Sequence, residues 1–370
     1  MRKGSILVFI SVIIIIIGLI TLFSLTHAII PNKVNEPGNI NSHIKSELPV
    51  GILVMQSGFI LDIGVEYSRA FEMVRQDYPD SIIMPITMDG GSNASVASYS
   101  WKKMISDNPN LPLVVTVASW TTNVVYPGAA KSGIVQLALG SAVVNRSRSS
   151  DHLIRFTPGV EQESPLLAAY LNRFNRIAII GGDNDYSRGY ISALESLIPG
   201  KIIETQLYNP DNLDSTLNIS IIKKNNPDVI LLLSVSEGGK VIEIIRNAGI
   251  NTALVGTRVI ERNSLLESKE TEGLIFTTPA LNRSHPFFKR YFYKYRENAT
   301  FYGAEGFDAM TTLYAAAAEC GVSQYCISGW YKNRSFDGAL GSVRFDDKGV
   351  AFYPITMKII RNGRFENYSL

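Results

Sequence analysis

The sequence is poor in the residues that carry out chemistry, with two cysteines and four histidines in 370 residues. His27 and His43 fall near the N-terminus, while His152 and His285 stand apart in the body of the chain, so no metal-ligand or acid-base cluster is spelled out. No HExxH, GxSxG or P-loop occurs, and no GxGxxG follows the first expected strand. GGDND at 181–185 lacks the spacing of a calcium loop and reads as the turn after a strand. Hydrolase, metalloenzyme and dinucleotide-dependent oxidoreductase chemistry are therefore without support, and no catalysis and no cofactor are expected. Excess charge of one sign is missing too: 35 basic against 33 acidic side chains leave a formal charge of +2, with no basic stripe to neutralise phosphates. Nucleic acid is excluded as a partner on that ground. Past the N-terminus there is no second long apolar run.

The first such run is prominent. In MRKGSILVFISVIIIIIGLITLFSLTHAIIPN, two cations precede an uncharged stretch from about Ser5 to Leu25, long enough to span a bilayer as a helix. A cleaved signal usually has a shorter apolar region of about 7–15 residues, so residues 1–28 are expected to be an uncleaved anchor, with cleavage after THA as the alternative. Arg2 and Lys3 keep the N-terminus cytoplasmic and place the remainder outside. No cysteine follows the run, against a bacterial lipoprotein anchor. Residues 29–48, rich in Asn, Pro, Ser and Gly, read as a flexible tether. The spacing of Cys320 and Cys326 in ECGVSQYC suits a local disulfide in an oxidising compartment, two buried free thiols being the alternative. Sequons at Asn93, Asn145, Asn218, Asn282, Asn298, Asn333 and Asn367 are compatible with an external location.

Beyond the tether, short apolar runs alternate with amphipathic stretches: VGILVM, a helix over about 65–77, SIIMPITM, a helix near 94–106, LPLVVTVA and GIVQLAL. A second series runs from RIAIIGG through helices near 186–197, 215–224 and 239–247 to LIFTTPA. Such alternation predicts two α/β units with parallel sheets. Ligands in open α/β sheets sit beyond the carboxyl ends of strands, where helix N-termini present free amides and a partial positive charge. The stretch PLVVTVASWTTNVV ends a buried strand at such a place. Ser119, Thr121 and Thr122 are good helix caps, and their hydroxyls can equally hold a carboxylate. Trp120 at an otherwise polar strand end favours contact with a ligand or an opposing domain.

Taken together, these segments resemble the leucine/isoleucine/valine-binding family, the substrate-binding proteins of branched-chain amino-acid ABC transporters. VGILVMQSGFILDIG, MDGGSNASVA, HLIRFTPG and RIAIIGGDNDYSRG look like the family's successive strand and loop motifs, although Ser187 replaces the first Gly of a Tyr-Gly-x-Gly turn. The most specific piece is GFDAMTTLYAAAAECG followed by FDGALGSVRFDDKGVAFYPITMKIIRNGRF. The resemblance runs from about Pro49 to Leu370. It implies the type I periplasmic-binding fold, two doubly wound parallel-sheet lobes joined by three crossovers near Phe156–Val160, Thr277–Ala280 and Phe336–Gly341. Lobe 1 would comprise 49–157 and 280–336, and lobe 2 would comprise 158–279 and 337–370. The implied function is capture of a small amino-acid-like or carboxylate-bearing molecule on the outer face of the membrane, for an ABC permease, by a monomeric protein. A ligand-sensing module of a signalling or chemotaxis system is the alternative.

Carried over residue by residue, the family's carboxylate-binding turns fall on Ser119, with Trp120 and Thr121 beside it, and on Ser141. Across the cleft, Tyr186 matches the Tyr of the Tyr-Gly turn, and Ser236 lies in a contact loop. The main departure is Arg258, in VGTRVIERNSL, where amino-acid binders commonly place an acid for the ligand ammonium. A guanidinium there favours an anion. The other readings are that a neighbouring Glu237, Asp185 or Glu261 pairs with it or takes the amino group, or that Arg258 lies outside the cleft.

Overall fold

The computed structural model describes residues 47–370 apart from Phe59, 143–151 and Ser236, so the expected anchor, nearly all of the tether and Ser236 lie outside the described residues. Among the described residues no helix is long and apolar enough to cross a membrane. In chain order the first elements are β1 (Leu48–Val54), α1 (Leu61–Asp77), β2 (Ile83–Asp89), α2 (Ala94–Asp107), β3 (Leu113–Val117), α3 (Ser119–Ser132), β4 (Val135–Leu139) and β5 (Leu153–Arg155). Then come α4 (Val160–Leu171), β6 (Ile177–Gly182), α5 (Asp185–Leu197), β7 (Ile202–Tyr208), the short α6 (Leu213–Thr216), α7 (Ile219–Asn225), β8 (Val229–Leu233), α8 (Gly238–Asn247), β9 (Ala253–Gly256) and β10 (Ile275–Pro279). The last are α9 (Pro286–Tyr295), α10 (Phe301–Cys320), α11 (Gln324–Tyr331), β11 (Ser335–Gly338), β12 (Gly341–Phe345), β13 (Ala351–Phe352), β14 (Ile355–Arg361) and β15 (Arg364–Tyr368).

Continuous apolar runs such as LVVTV and VQLAL become strands buried on both faces, as a sheet covered by helices on each side requires. The first sheet has the order β2-β1-β3-β4-β5 and is parallel throughout. The second has the order β15-β14-β10-β9-β8-β6-β7, parallel from β10 to β7 and closed on its other side by the antiparallel hairpin β14–β15. Each sheet has its own core. Phe287, Tyr291, Phe301, Leu313 and Tyr331 of α9–α11 join the core of the first sheet, although they follow the second in sequence. Cys320 and Cys326 form a disulfide that ties the end of α10 to α11.

The chain first leaves the first sheet after β5, at 156–159, and returns to it after β10, at 280–285. Its third passage comes later than the Phe336–Gly341 crossover expected from sequence. Strands β11–β13 form a small antiparallel sheet whose Ala339, Leu340, Val343, Phe345 and Ala351 pack into the first core. Only at 353–354 does the chain cross to β14. The anchor of this segment is Asp308 of α10, whose carboxylate accepts the backbone N–H of Ala339 at 2.9 Å and of Leu340 at 2.7 Å. Gly338 is needed for that approach, because a Cβ there would sit 2.4 Å from the same carboxylate.

Candidate functional site

The chain passes repeatedly over one end of each sheet, and those strand ends face a common cavity of about 350 Å³. Met55 follows β1, Ser92 follows β2, Ala118 follows β3 and Gly140 follows β4. From the other lobe, Asn184 follows β6, Pro210 follows β7, Val235 follows β8 and Arg258 follows β9. Carboxyl ends of parallel strands converge here, where α/β folds bind small molecules. Ile60, Ile63, Tyr67 and Tyr302 add apolar wall from α1, the loop before it, and α10.

The turn from β3 into α3 is backbone-driven. Ala118 sits at φ 79°, ψ 153°, a conformation close to a glycine-only region and costly for a residue with a Cβ. Its N–H is held by the carbonyl of Leu139 at 2.9 Å, and its own carbonyl accepts the N–H of Thr122 at 3.0 Å. Ala118, at the N-cap position, gives α3 no side-chain cap, and the positive end of the helix dipole lies at the cavity beside Ser119 and Trp120. The indole Nε1 of Trp120 is buried and has no hydrogen-bond partner among the described residues. A buried donor of this kind costs free energy until an acceptor reaches it.

Of the residues expected at the site, Ser119, Trp120, Tyr186 and Arg258 line the cavity. The hydroxyls of Thr121 and Ser141 are not brought to it. Thr121 is fully buried beside Gly90, and Ser141 lies under the wall, its N–H donating to Thr157 Oγ1 at 3.1 Å. Helical geometry explains the first: successive residues diverge by roughly 100°, so Ser119 and Trp120 at the helix start exclude Thr121 from the same face. At the end of β4 it is Gly140, at φ 59°, that reaches the cavity instead of Ser141. Tyr186 shares a hydrogen bond with Thr257 Oγ1 at 2.5 Å, and burial pushes its phenol well above the usual range.

Arg258 is inside the wall, but it is not an open cation. Its Nη1 lies 3.1 Å from Glu163 Oε2 in a pair whose side chains are 2% and 0% exposed. Its Nη2 donates to the carbonyl of Pro158 at 2.9 Å. Glu163, on α4, also accepts from Tyr190 Oη and from Thr277 Oγ1, each at 2.5 Å. The partner of Arg258 is thus none of the three acids considered from sequence. Glu261 is bound instead to Lys358 at 2.5 Å and to Arg283 at 3.3 Å. Asp185 and Glu237 line the cavity, the former accepting from Asn123 Nδ2 at 3.0 Å and the latter from Tyr208 Oη at 3.2 Å.

Sequence reasoning passed over Tyr67 and Tyr302, because α1 and α10 read simply as core helices. Tyr67 donates to Glu305, which also accepts Thr157 Oγ1 at 2.6 Å and the N–H of Gly140 at 2.9 Å. Burial raises the carboxyl pKa of Glu305 despite these donors. Outside the cavity, Asp62 of α1 makes a two-pronged bond to Arg262, with Nε at 2.9 Å and Nη2 at 2.8 Å, and accepts Ser264 Oγ at 3.2 Å. Arg262 Nη1 donates to the carbonyl of Val235 at 3.0 Å. This pair and the Asn123–Asp185 bond both run from one lobe to the other.

Two lobes, three passages and a cavity at the carboxyl ends of both sheets define the type I periplasmic-binding fold. The sequence pattern of the family described as periplasmic binding protein matches residues 47–356. The chain belongs to the periplasmic binding protein family. Among solved structures it is similar to an extracellular ligand binding receptor from Desulfohalobium retbaense, with 33% identity and a TM-score of 0.83, covering 87% of this chain and 59% of that one. The present chain therefore spans little more than half of that protein. The leucine binding protein LivK from Thermotoga maritima has 19% identity and a TM-score of 0.79, covering 87% and 98% of the two chains. A solute binding protein from R. palustris in complex with benzoate has 16% identity and a TM-score of 0.78, covering 87% and 95%. Among curated proteins none matches the sequence. The resemblance to leucine/isoleucine/valine-binding proteins holds at the level of family and fold.

Proposed function

We propose that this protein is an external solute-binding protein that captures a small, largely apolar, carboxylate-bearing molecule such as an amino acid, and delivers it to an ABC permease without chemical change. The observation that carries this reading is the N-terminus of α3, which receives no side-chain cap from Ala118, set beside Trp120 in a cavity whose walls come from both lobes. A carboxylate placed there would accept from the backbone amides at the start of α3, and its apolar part would meet Trp120, Ile60, Ile63, Tyr67 and Tyr302. Capture would draw the lobes together across the cleft. The apolar N-terminal run would hold the protein at the outer face of the cytoplasmic membrane, with the tether giving it reach. A sensing role is the second reading, favoured by the receptor from Desulfohalobium retbaense, in which the matched part is 59% of a longer chain.

The test is a thermal-shift screen of the region from Pro49 onward against amino acids, carboxylates, aromatic acids, amides, purines and sugars. A rise in Tm with a carboxylate-bearing compound, lost in Trp120→Ala, supports the reading. A rise confined to sugars or purines refutes it.

A further inference from the structure

Helix α9 buries one aromatic face and leaves another in water. Phe287 and Tyr291 belong to the first core, Phe287 stacking on Phe307 with ring centroids 4.6 Å apart. On the outer side, Lys289, Phe292, Tyr293 and Arg296 are all exposed and follow the i, i+3, i+4, i+7 spacing of a single helical stripe. Phe292 is 42% exposed and Tyr293 is 59% exposed. The outer stripe of a surface helix is ordinarily polar, so two adjacent rings there mark a contact surface. No side chain of α9 lines the ligand cavity.

The charge around these rings is one-sided. From Gly273 to Arg296 the sequence carries Arg283, Lys289, Arg290, Lys294 and Arg296 and no acid, in a chain whose total charge is nearly balanced. Folding returns part of the opposite charge. Asp77 of α1 takes Arg290 in a two-pronged bond at 2.9 and 2.6 Å, and Glu72, held by Arg75, feels the charge of Lys294. Lys294 itself donates to the neutral Gln76 Oε1 at 2.7 Å. Lys289 lies over the Tyr293 ring at 5.8 Å, and Glu297, the acid next to Arg296 in sequence, is held by Arg69 at 2.6 Å. The two ends of the stripe are therefore cations without an ion-pair partner among the described residues.

We propose that this face of α9 docks on an anionic lipid surface, with Phe292 and Tyr293 entering the headgroup layer and Lys289 and Arg296 meeting lipid phosphates. Cations flanking exposed aromatic rings match the chemistry of a bilayer interface. Resting on the anchoring proposed for residues 1–28, the chain also supplies the proximity. Residues 29–48, as a flexible tether, have a root-mean-square reach of about 25 Å, close to the radius of gyration of about 20 Å for a unit of this length. Any face of the unit can then meet the bilayer, at a local concentration that makes a weak contact sufficient.

The experiment reconstitutes the full chain in vesicles of phosphatidylcholine alone or of equimolar phosphatidylcholine and phosphatidylglycerol. Quenching of a Tyr293→Trp indole by headgroup-spin-labelled lipid reads the docking, with Tyr325→Trp, at a position 71% exposed on α11, as the control. Quenching should be several-fold greater in the anionic vesicles and should disappear in high salt. Each cation at an anionic surface raises partitioning about fivefold, so Lys289→Glu with Arg296→Glu should weaken docking by about 25-fold or more. The unit Ser46–Leu370, added to the same vesicles without the anchor, should keep the anionic preference at lower occupancy. That preference, together with a full chain that alkaline carbonate strips from the vesicles, would sink the anchor and leave the docking face standing. Equal quenching in the two lipids, including none in either, overturns the proposal and leaves the face to a protein partner. So does anionic quenching that survives the double charge reversal, or that Tyr325→Trp shows to the same extent.

Discussion

Replacing Asp62 by Ala removes a carboxylate that receives two guanidinium N–H groups and the Ser264 hydroxyl from the other lobe. Arg262 is 9% exposed and Asp62 is 39% exposed, so the pair is only partly desolvated. Exposed ion pairs contribute about 0.2–1 kcal/mol, whereas hydrogen bonds to charged groups in drier sites contribute about 1.5–3 kcal/mol. A two-pronged pair of intermediate exposure, discounted for screening, should fall near 1–2 kcal/mol, and Arg262 keeps its bond to Val235 when the carboxylate is lost. If the lobes part when ligand leaves, that energy belongs to the bound arrangement alone. Asp62→Ala should then raise Kd by about 5- to 30-fold, chiefly through faster dissociation. Stopped-flow tryptophan fluorescence on Asp62→Ala, Arg262→Ala and the double variant supplies the cycle, in which the double should cost little more than either single. Additive single effects would refute the reasoning, as would an unchanged dissociation rate accompanied by a lower Tm.

Three further outcomes are expected. Ala118→Gly should stabilise the fold by about 1 kcal/mol, because glycine adopts φ 79°, ψ 153° without the Cβ penalty; a lower urea midpoint would count against strain at that turn. Glu163→Gln should destabilise by about 3–5 kcal/mol in urea unfolding, since it leaves the buried Arg258 charge uncompensated, and Glu163→Gln combined with Arg258→Met should recover part of that loss. Burial raises the carboxyl of Glu66 from 4.5 to about 7 against the donors Thr300 and Gly303. The folded state therefore holds this proton more tightly than the unfolded chain, so its contribution is fully present below the ordinary carboxyl pKa and lost as pH rises through about 7. The swing is about 3 kcal/mol from this group, with Asp308, also raised to about 7 by burial, acting in the same direction. Tm should fall between pH 5 and about 8 and the slope should flatten in Glu66→Gln; an unchanged slope would dismiss Glu66 as its source.

The sheets were legible because continuous apolar runs and amphipathic stretches have different periods, and local burial decides both. VGILVM, LPLVVTVA and DVILLLSV lie on β1, β3 and β8, and the helix expected over 94–106 is α2. The strand end at Ala118 and the indole beside it were legible for the same reason, being adjacent in sequence. What depends on distant partners was not. The neutralisation of Arg258 comes from a residue 95 positions earlier, and the wall residue Tyr302 lies one turn before the GFDAM motif of its helix, where nothing in the local sequence marks it as facing a cavity. The misplaced third passage has a similar cause. FDGALGSVRF reads as a strand pair with no mark of which core it joins, and the choice is made by Asp308 reaching two amides 31 and 32 residues away.

The order of elements along the chain has a consequence for synthesis. Helix α1 is buried against α10, and their bonds join Glu66 to Thr300 and Tyr67 to Glu305, 234 and 238 residues apart. At translation rates of about 5–20 residues per second, the apolar face of α1 waits on the order of ten seconds or more before its cover is made. The second sheet is similarly incomplete until β14 and β15 have emerged. Both lobes stay incomplete until the last seventy or so residues are made, so the nascent chain carries two unclosed cores at once. Its vulnerability to aggregation is set by how late α10 arrives, and a chain truncated before that helix should be insoluble rather than half-folded.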